Sequence, residues 1–128
     1  MQMKEVFVFG SNLAGVHGAG AAKTAYKKHG ARWGKGHGHY GDSYAIPTKD
    51  TNIKTMAIED IRTFVNAFIV YAANHPELNF KVTRVGCGLA GIDDSVMASM
   101  FKNATGNCSF DLAWKSYLGD DFNYWGTF

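Results

Sequence analysis

Short apolar runs that alternate with longer segments of helical spacing predict an α/β fold, a mainly parallel sheet in a three-layer α/β/α arrangement. Two further observations support this class. The run Val6-Phe-Val-Phe9 breaks into a loop holding Gly10, Gly15, Gly18 and Gly20, and an alanine-rich helical pattern follows at once. A second apolar run, Phe80 to Val85, breaks in the same way into Gly86-Cys-Gly-Leu-Ala-Gly91. At 128 residues the chain is expected to form one domain, residues 1–128, with a single core.

The elements follow in order. Glu5 to Phe9 reads as a buried strand, and Ala21 to His29 as a helix closed by Gly30 at its C-terminal cap. Arg32 to Asp42, with four recurring glycines, reads as a polar loop. Ser43 to Ile46 is a short strand that Pro47 is expected to stop, because proline cannot donate to a central ladder. Met56 to Asn74 carries Ile58, Ile61, Val65, Phe68, Ile69 and Ala72 on one face, which predicts a helix. Phe80 to Val85 is the next strand. Asp93 to Lys102 is a short helix with acidic residues in its first turn and a lysine in its last. Ser109 to Trp114 is a weak final strand, followed by an aromatic tail whose Trp125 either covers a sheet edge or lines a pocket for a base.

Composition excludes several classes. The formal net charge of +2 is too small to point to nucleic acid or an anionic membrane as partner. No apolar run approaches the ~18 residues that a membrane span needs. The opening Met-Gln-Met-Lys-Glu offers no apolar core of a signal peptide, and Cys87 and Cys108 fit reduced thiols, so a cytoplasmic protein is expected.

In an open parallel sheet, ligands sit in the crevice beyond the carboxyl ends of the strands. Three unusual loops meet those ends: Gly10 to Gly20, Pro47 to Asp50, and Gly86 to Asp94. Glycine lets a backbone approach a ligand closely, and a helix start supplies unpaired N–H groups and a positive dipole end, so phosphate is the expected guest. The order of parts is that of a nucleotide site, although neither GxGxxG nor GxxxxGK[ST] is present in place. A plain glycine-rich turn is the alternative. Within the first loop the candidate ligand contacts are Gly10, Ser11, Asn12, Leu13, Gly15, His17, Gly18 and Gly20. In the later turn they are Gly86, Cys87, Gly88, Leu89, Ala90 and Gly91.

Lys49, at the end of a strand, is either a nucleophilic amine or a solvated loop lysine. Asp93 is either an acid/base partner that activates water or the charged start of a helix. Cys87 has no histidine nearby in sequence and reads as a small buried residue beneath the turn. His37 and His39 lack a third ligand, so no metal site is expected, and no cofactor is.

Val82-Thr-Arg-Val-Gly-Cys-Gly-Leu-Ala-Gly91 resembles the second loop of macro domains, where a strand ends in a Gly-x-Gly turn that cradles a diphosphate. Gly18-Ala-Gly-Ala-Ala22 resembles the start of the first helix of that fold, and Ser11-Asn12 the loop that contacts the distal ribose. Tyr44-Ala-Ile-Pro-Thr-Lys49 resembles the strand that ends in a catalytic lysine in the terminal ADP-ribose protein glycohydrolase branch, to which ADP-ribose-1″-phosphatases are close. The resemblance covers roughly residues 5 to 102. It implies a macro-like fold that binds ADP-ribose or a related nucleotide diphosphate, free or on an ADP-ribosylated macromolecule. It also implies hydrolysis of an ADP-ribosyl derivative, with Lys49 and Asp93 carrying the chemistry.

The sequence departs from the family at two places. The glycohydrolase branch has its catalytic Asp directly after Gly-Cys-Gly-Leu, where Ala90 stands here. Macro domains also begin with a strand whose Asp bonds adenine, and the sequence ahead of Glu5 has no counterpart. Two alternatives therefore stand beside the enzyme: a non-catalytic module for a nucleotide or NAD-derived metabolite, and a structural protein, for example of phage type, that inherited the fold.

Overall fold

The computed structural model describes residues 4–128; the first three residues of the expected domain lie outside the described residues. β1 (Lys4–Asn12) is the strand on which the rest is built. Its side chains alternate between two faces and are buried on both: Val6 and Val8 on one, Phe7 and Phe9 on the other. A strand covered on both faces reads as one continuous apolar run, which is what Val6 to Phe9 shows. β1 pairs in parallel with β3 (Ser43–Lys49) on one edge and β4 (Leu78–Val82) on the other. β5 (Cys108–Asp111) and β6 (Asn123–Gly126) extend the sheet in parallel beyond β4. The short β2 (Gly38–Tyr40) is antiparallel to β3, so the order is β2-β3-β1-β4-β5-β6.

Two apolar layers sandwich this sheet. α1 (Gly20–Lys28) lays Ala22 and Ala25 on Phe7, Phe9 and Ala45, its small side chains letting it approach the phenyl rings. The larger layer holds α2 (Ile58–Ala73), α3 (Asp94–Ser99) and the short α4 (Lys115–Leu118). There Ile61, Val65 and Phe68 of α2 meet Val8, Ile46 and Phe80, while Met97, Phe101, Phe110 and Trp114 close the core toward β5. The fold is thus the expected three-layer α/β class with a mostly parallel sheet. No helix among the described residues is long and apolar enough to cross a membrane.

Several boundaries differ from those expected. β1 continues through Gly10 and Ser11 to Asn12, and β3 continues through Pro47 to Lys49. The proline is accommodated because the β1–β3 pairing slips between Ser11 and Asn12, and the Thr48 hydroxyl donates to the Ser11 carbonyl there at 3.3 Å. β4 begins and ends earlier than expected, and Thr83 to Val85 already form a turn through Val85 N–H and the Thr83 carbonyl. The polar loop after α1 contains β2. α3 is shorter than the expected helix. β5 stops at Asp111 because its carboxylate accepts from Ala113 N–H at 2.9 Å, which starts a 3-10 turn over Leu112–Trp114. The aromatic tail supplies β6.

The loop after β1 is locked to the segment after α1. Gly34 N–H donates to the Gly15 carbonyl at 2.8 Å, and the Ser11 hydroxyl donates to the Gly36 carbonyl. A Cβ on Gly36 would fall onto the Asn12 carbonyl, whereas one on Gly34 would meet nothing within 4 Å. Gly34 carries only the cost of its positive φ of 86°. We expect Gly36→Ala to cost about 2–3 kcal/mol through forced backbone displacement and Gly34→Ala only about 1 kcal/mol. Urea denaturation of both variants measures the difference, and equal losses would refute the interlock.

Candidate functional site

The chain leaves β1 toward one face of the sheet through α1 and leaves β3 and β4 toward the other through α2 and α3. The loops beyond the carboxyl ends of these neighbouring strands therefore part, and a crevice opens between them. A cavity of about 450 Å³ occupies it. Its floor is Gly10, Ser11 and Asn12 of β1 with Thr48 and Lys49 of β3. One wall is the start of α1, Gly18 to Ala22, and the opposite wall is the turn carrying Gly86, Gly88, Leu89 and Ala90. Thr83, Arg84, Asp111 and Phe128 complete it on the β4–β5 side, and Val16 and Ile53 flank the mouth.

Each of these two walls carries backbone N–H groups without a backbone acceptor. α1 has no side-chain cap and no acidic residue in its first turn. Its first intrahelical bond is Lys23 N–H to the Ala19 carbonyl, which leaves the N–H groups of Gly20, Ala21 and Ala22 without helical acceptors. In the other wall, Cys87, Gly91 and Ile92 donate within the turn. The N–H groups of Gly88, Leu89 and Ala90 have no backbone acceptor among the described residues. The positive φ values in this turn belong to Gly86 (78°) and Gly91 (72°), not to Gly88.

The charged groups have distinct settings. Lys49 is half-buried at the end of β3, and no carboxylate among the described residues lies within ion-pair distance of its ammonium. Its neighbour Asp50 is engaged in its own turn, accepting from Asn52 N–H at 2.8 Å and Lys54 N–H at 3.0 Å. Arg84 is held by a two-pronged pair with Asp94, at 2.8 Å from Nε and 2.6 Å from Nη2. The Trp114 indole donates to the same carboxylate at 2.7 Å. The Arg84 guanidinium holds the Asp94 carboxyl well below its usual range, at about 2, against the opposing effect of burial. Asp111 is fully buried and accepts from Phe128 N–H at 3.0 Å and from the Thr127 hydroxyl at 3.2 Å, which fixes Phe128 at the cavity.

Of the residues singled out in the sequence, Gly10, Ser11, Asn12, Gly18, Gly20, Lys49, Gly86, Gly88, Leu89 and Ala90 line the one cavity. Ser11 and Asn12 do so with their side chains engaged in the scaffold: Ser11 with Gly36, and Asn12 with both the N–H and the carbonyl of Val16 at 2.9 Å. Six residues lie elsewhere. Leu13 points away, with its N–H donated to the Lys49 carbonyl at 2.9 Å. Gly15 abuts Gly34, where a Cβ would strike backbone. His17 does not face the cavity; it is 1% exposed beneath Tyr26 and Trp33, with Nε2 on the Arg32 carbonyl at 2.7 Å. Cys87 is half-buried against the larger core, and burial pushes its thiol up to about 12, which leaves no thiolate at neutral pH. Gly91 closes the turn through its N–H to the Gly88 carbonyl. Asp93 is the N-cap of α3, accepting from Ser95 N–H at 2.8 Å.

The histidine pair is likewise structural, with His37 packed on Phe64 and His39 Nε2 on the Gly41 carbonyl. Trp125 lies on the edge strand, where its indole donates to the Val82 carbonyl at 2.9 Å. Phe128, not Trp125, reaches the cavity. Sequence reading passed over Arg84, Asp111 and Phe128. Arg84 was within the quoted strand-to-turn motif, and Asp111 carried the signal of an acid at the carboxyl end of a strand.

The chain matches no protein-family model, no curated protein and no solved structure.

The Arg84–Asp94 pair braces the turn against α3, and its depressed carboxyl makes that brace dependent on pH. Its stabilisation is complete above the unfolded carboxyl's value of 3.8 and is lost as pH falls toward about 2. We expect Asp94→Asn to lower stability by about 2 kcal/mol at pH 7 and by less than about 0.5 kcal/mol at pH 2, where the folded carboxyl is half protonated. Urea midpoints of both proteins across that range measure it; a gap at pH 2 as large as that at pH 7 would refute the assignment.

Proposed function

We propose that the cavity binds the diphosphate of ADP-ribose or a related nucleotide. The observation that carries this reading is the pair of donor sets on the two walls, N–H groups at the start of α1 and in the Gly88–Ala90 turn, both free of side-chain carboxylates. Such donors, with the dipole of α1 behind one set, suit an anion with two phosphoryl groups better than a neutral sugar. The fixed Arg84 and unpaired Lys49 add positive charge at the rim. Phe128 offers an aromatic surface for the base.

A site that holds this ligand without turnover is favoured over a hydrolase. Ala90 stands where the glycohydrolase branch has its acid, and Asp93 is turned to cap α3. Hydrolysis is the second reading, and Lys49 alone favours it, because its amine lies at the cavity without a carboxylate partner. In that reaction the neutral amine would attack the anomeric carbon and the ester oxygen would leave as a carboxylate; the glycosylamine would lose a proton and open its ring to an imine, from which water would release the sugar and return the amine.

Thermal unfolding with ADP-ribose, its 1″-phosphate, NAD and AMP tests the binding. ADP-ribose at 100 times its dissociation constant should stabilise by about 2.7 kcal/mol; no shift with any of the four would overturn the reading. Gly88→Val should fold normally, since a Cβ there meets nothing within 4 Å, yet lose at least about tenfold in ADP-ribose affinity. Lys49→Ala separates the two readings. If the protein hydrolyses an ADP-ribosyl ester, this variant should lose turnover while keeping affinity within a few-fold. Absence of turnover in the unaltered protein leaves the binding module.

A further inference from the structure

The small net charge of the whole chain conceals a sharp segregation. Between Val6 and Gly41 there are five lysines and arginines and no aspartate or glutamate, so the remaining residues set eight cations against eleven acids. Of these five cations, Lys23 and Lys27 share the outer face of α1 with Tyr26, opposite the buried Ala22 and Ala25. The following segment brings Trp33 against Tyr26, ring centroids 5.5 Å apart and nearly perpendicular, with Lys35 two residues on. Trp33 is 55% exposed and Tyr26 is 46% exposed. Neither ring is there to fill a core, and both rest on the buried His17 ring. None of the five cations lies within ion-pair distance of a carboxylate among the described residues.

We propose that this face, built from Lys23, Tyr26, Lys27, Trp33 and Lys35, binds single-stranded nucleic acid. Unpaired cations around exposed aromatic rings match a polymer that alternates phosphate charge with flat bases. A duplex keeps its bases stacked away from such rings, and an acidic peptide offers charge without a flat surface. The T-shaped pair leaves the Trp33 indole accessible to a base while Tyr26 holds it upright. The lysines of α1 then follow the backbone. The surface adjoins the cavity through Val16, next in sequence to His17, but it stands independently of what occupies that cavity.

Fluorescence anisotropy with a labelled oligothymidylate tests the assignment on the full chain, with thermal unfolding confirming that each variant is folded. Lys23→Glu combined with Lys27→Glu should weaken binding at least about tenfold and flatten the salt dependence by about 1.4 in log–log slope. Trp33→Ala should weaken it about tenfold with the slope unchanged, and Trp33→Phe should restore most of the loss. Lys102→Glu, on an exposed turn after α3, should change nothing. Where ADP-ribose stabilises the protein, it should stabilise the Trp33 variants and Lys102→Glu equally. Unaltered binding in the double lysine variant would overturn the proposal. So would oligothymidylate affinity that ignores Trp33, or polyglutamate binding as tight as oligothymidylate, which would reassign the face to acidic protein.

Discussion

β1 is enclosed on every side. Its faces are covered by α1 and by α2 with α3, and its edges are paired with β3 and β4. A strand so placed has room only for apolar side chains until it emerges from the sheet, and it emerges at Gly10 to Asn12. The neighbouring strands β3 and β4 emerge at the same level and send their chains to the face opposite the one β1 takes. Everything polar and glycine-rich that follows them is therefore delivered to one crevice. The site is a consequence of strand order, and the loops give it its chemistry.

Polar groups in that crevice divide into those that hold the scaffold and those left over. Ser11, Asn12 and Asp111, which line it, and Asp93 and Asp94, which lie outside its lining, each have a side-chain oxygen committed to neighbouring chain, through caps, a loop staple, an ion pair and a tail anchor. What remains along the lining is backbone N–H without a backbone acceptor, together with Lys49 and Arg84. A buried acceptor left unpaired would be costly, so the acids sit where donors meet them. The positive character of the crevice comes from this allocation rather than from an excess of basic residues.

The α/β class, the mostly parallel sheet and the loops that meet at its carboxyl edge were legible in the sequence because each depends on local pattern. Apolar runs, helical spacing and glycine-rich turns are written in consecutive residues. The direction of a side chain within a loop is not. His17 lies inside the first glycine-rich loop, which is the signal that groups it with the ligand contacts, yet its ring turns under Tyr26 and Trp33 while Val16 and Gly18 beside it line the cavity. Asp93 follows the same logic, since a carboxylate at the start of a helix caps it whenever a free N–H lies within reach. Arg84, Asp111 and Phe128 come from three separate parts of the chain, and only the tertiary arrangement assembles them. β6 escaped notice because its pairing with β5 is long-range and its own pattern is short.

Asp111 gives the tail an unusual address. By gripping Phe128 N–H and the Thr127 hydroxyl, this buried carboxylate brings the last residues of the chain to the rim of the cavity, while Lys4 begins β1 at the opposite, amino edge of the sheet. The two ends of the described chain are therefore not equivalent as attachment points. A peptide or fluorescent label joined after Phe128 would start at the rim of that cavity and crowd its opening. The same label joined ahead of Lys4 would be separated from that opening by the length of the central strand. For any immobilised or fused form, the amino edge is the handle that leaves the entrance clear.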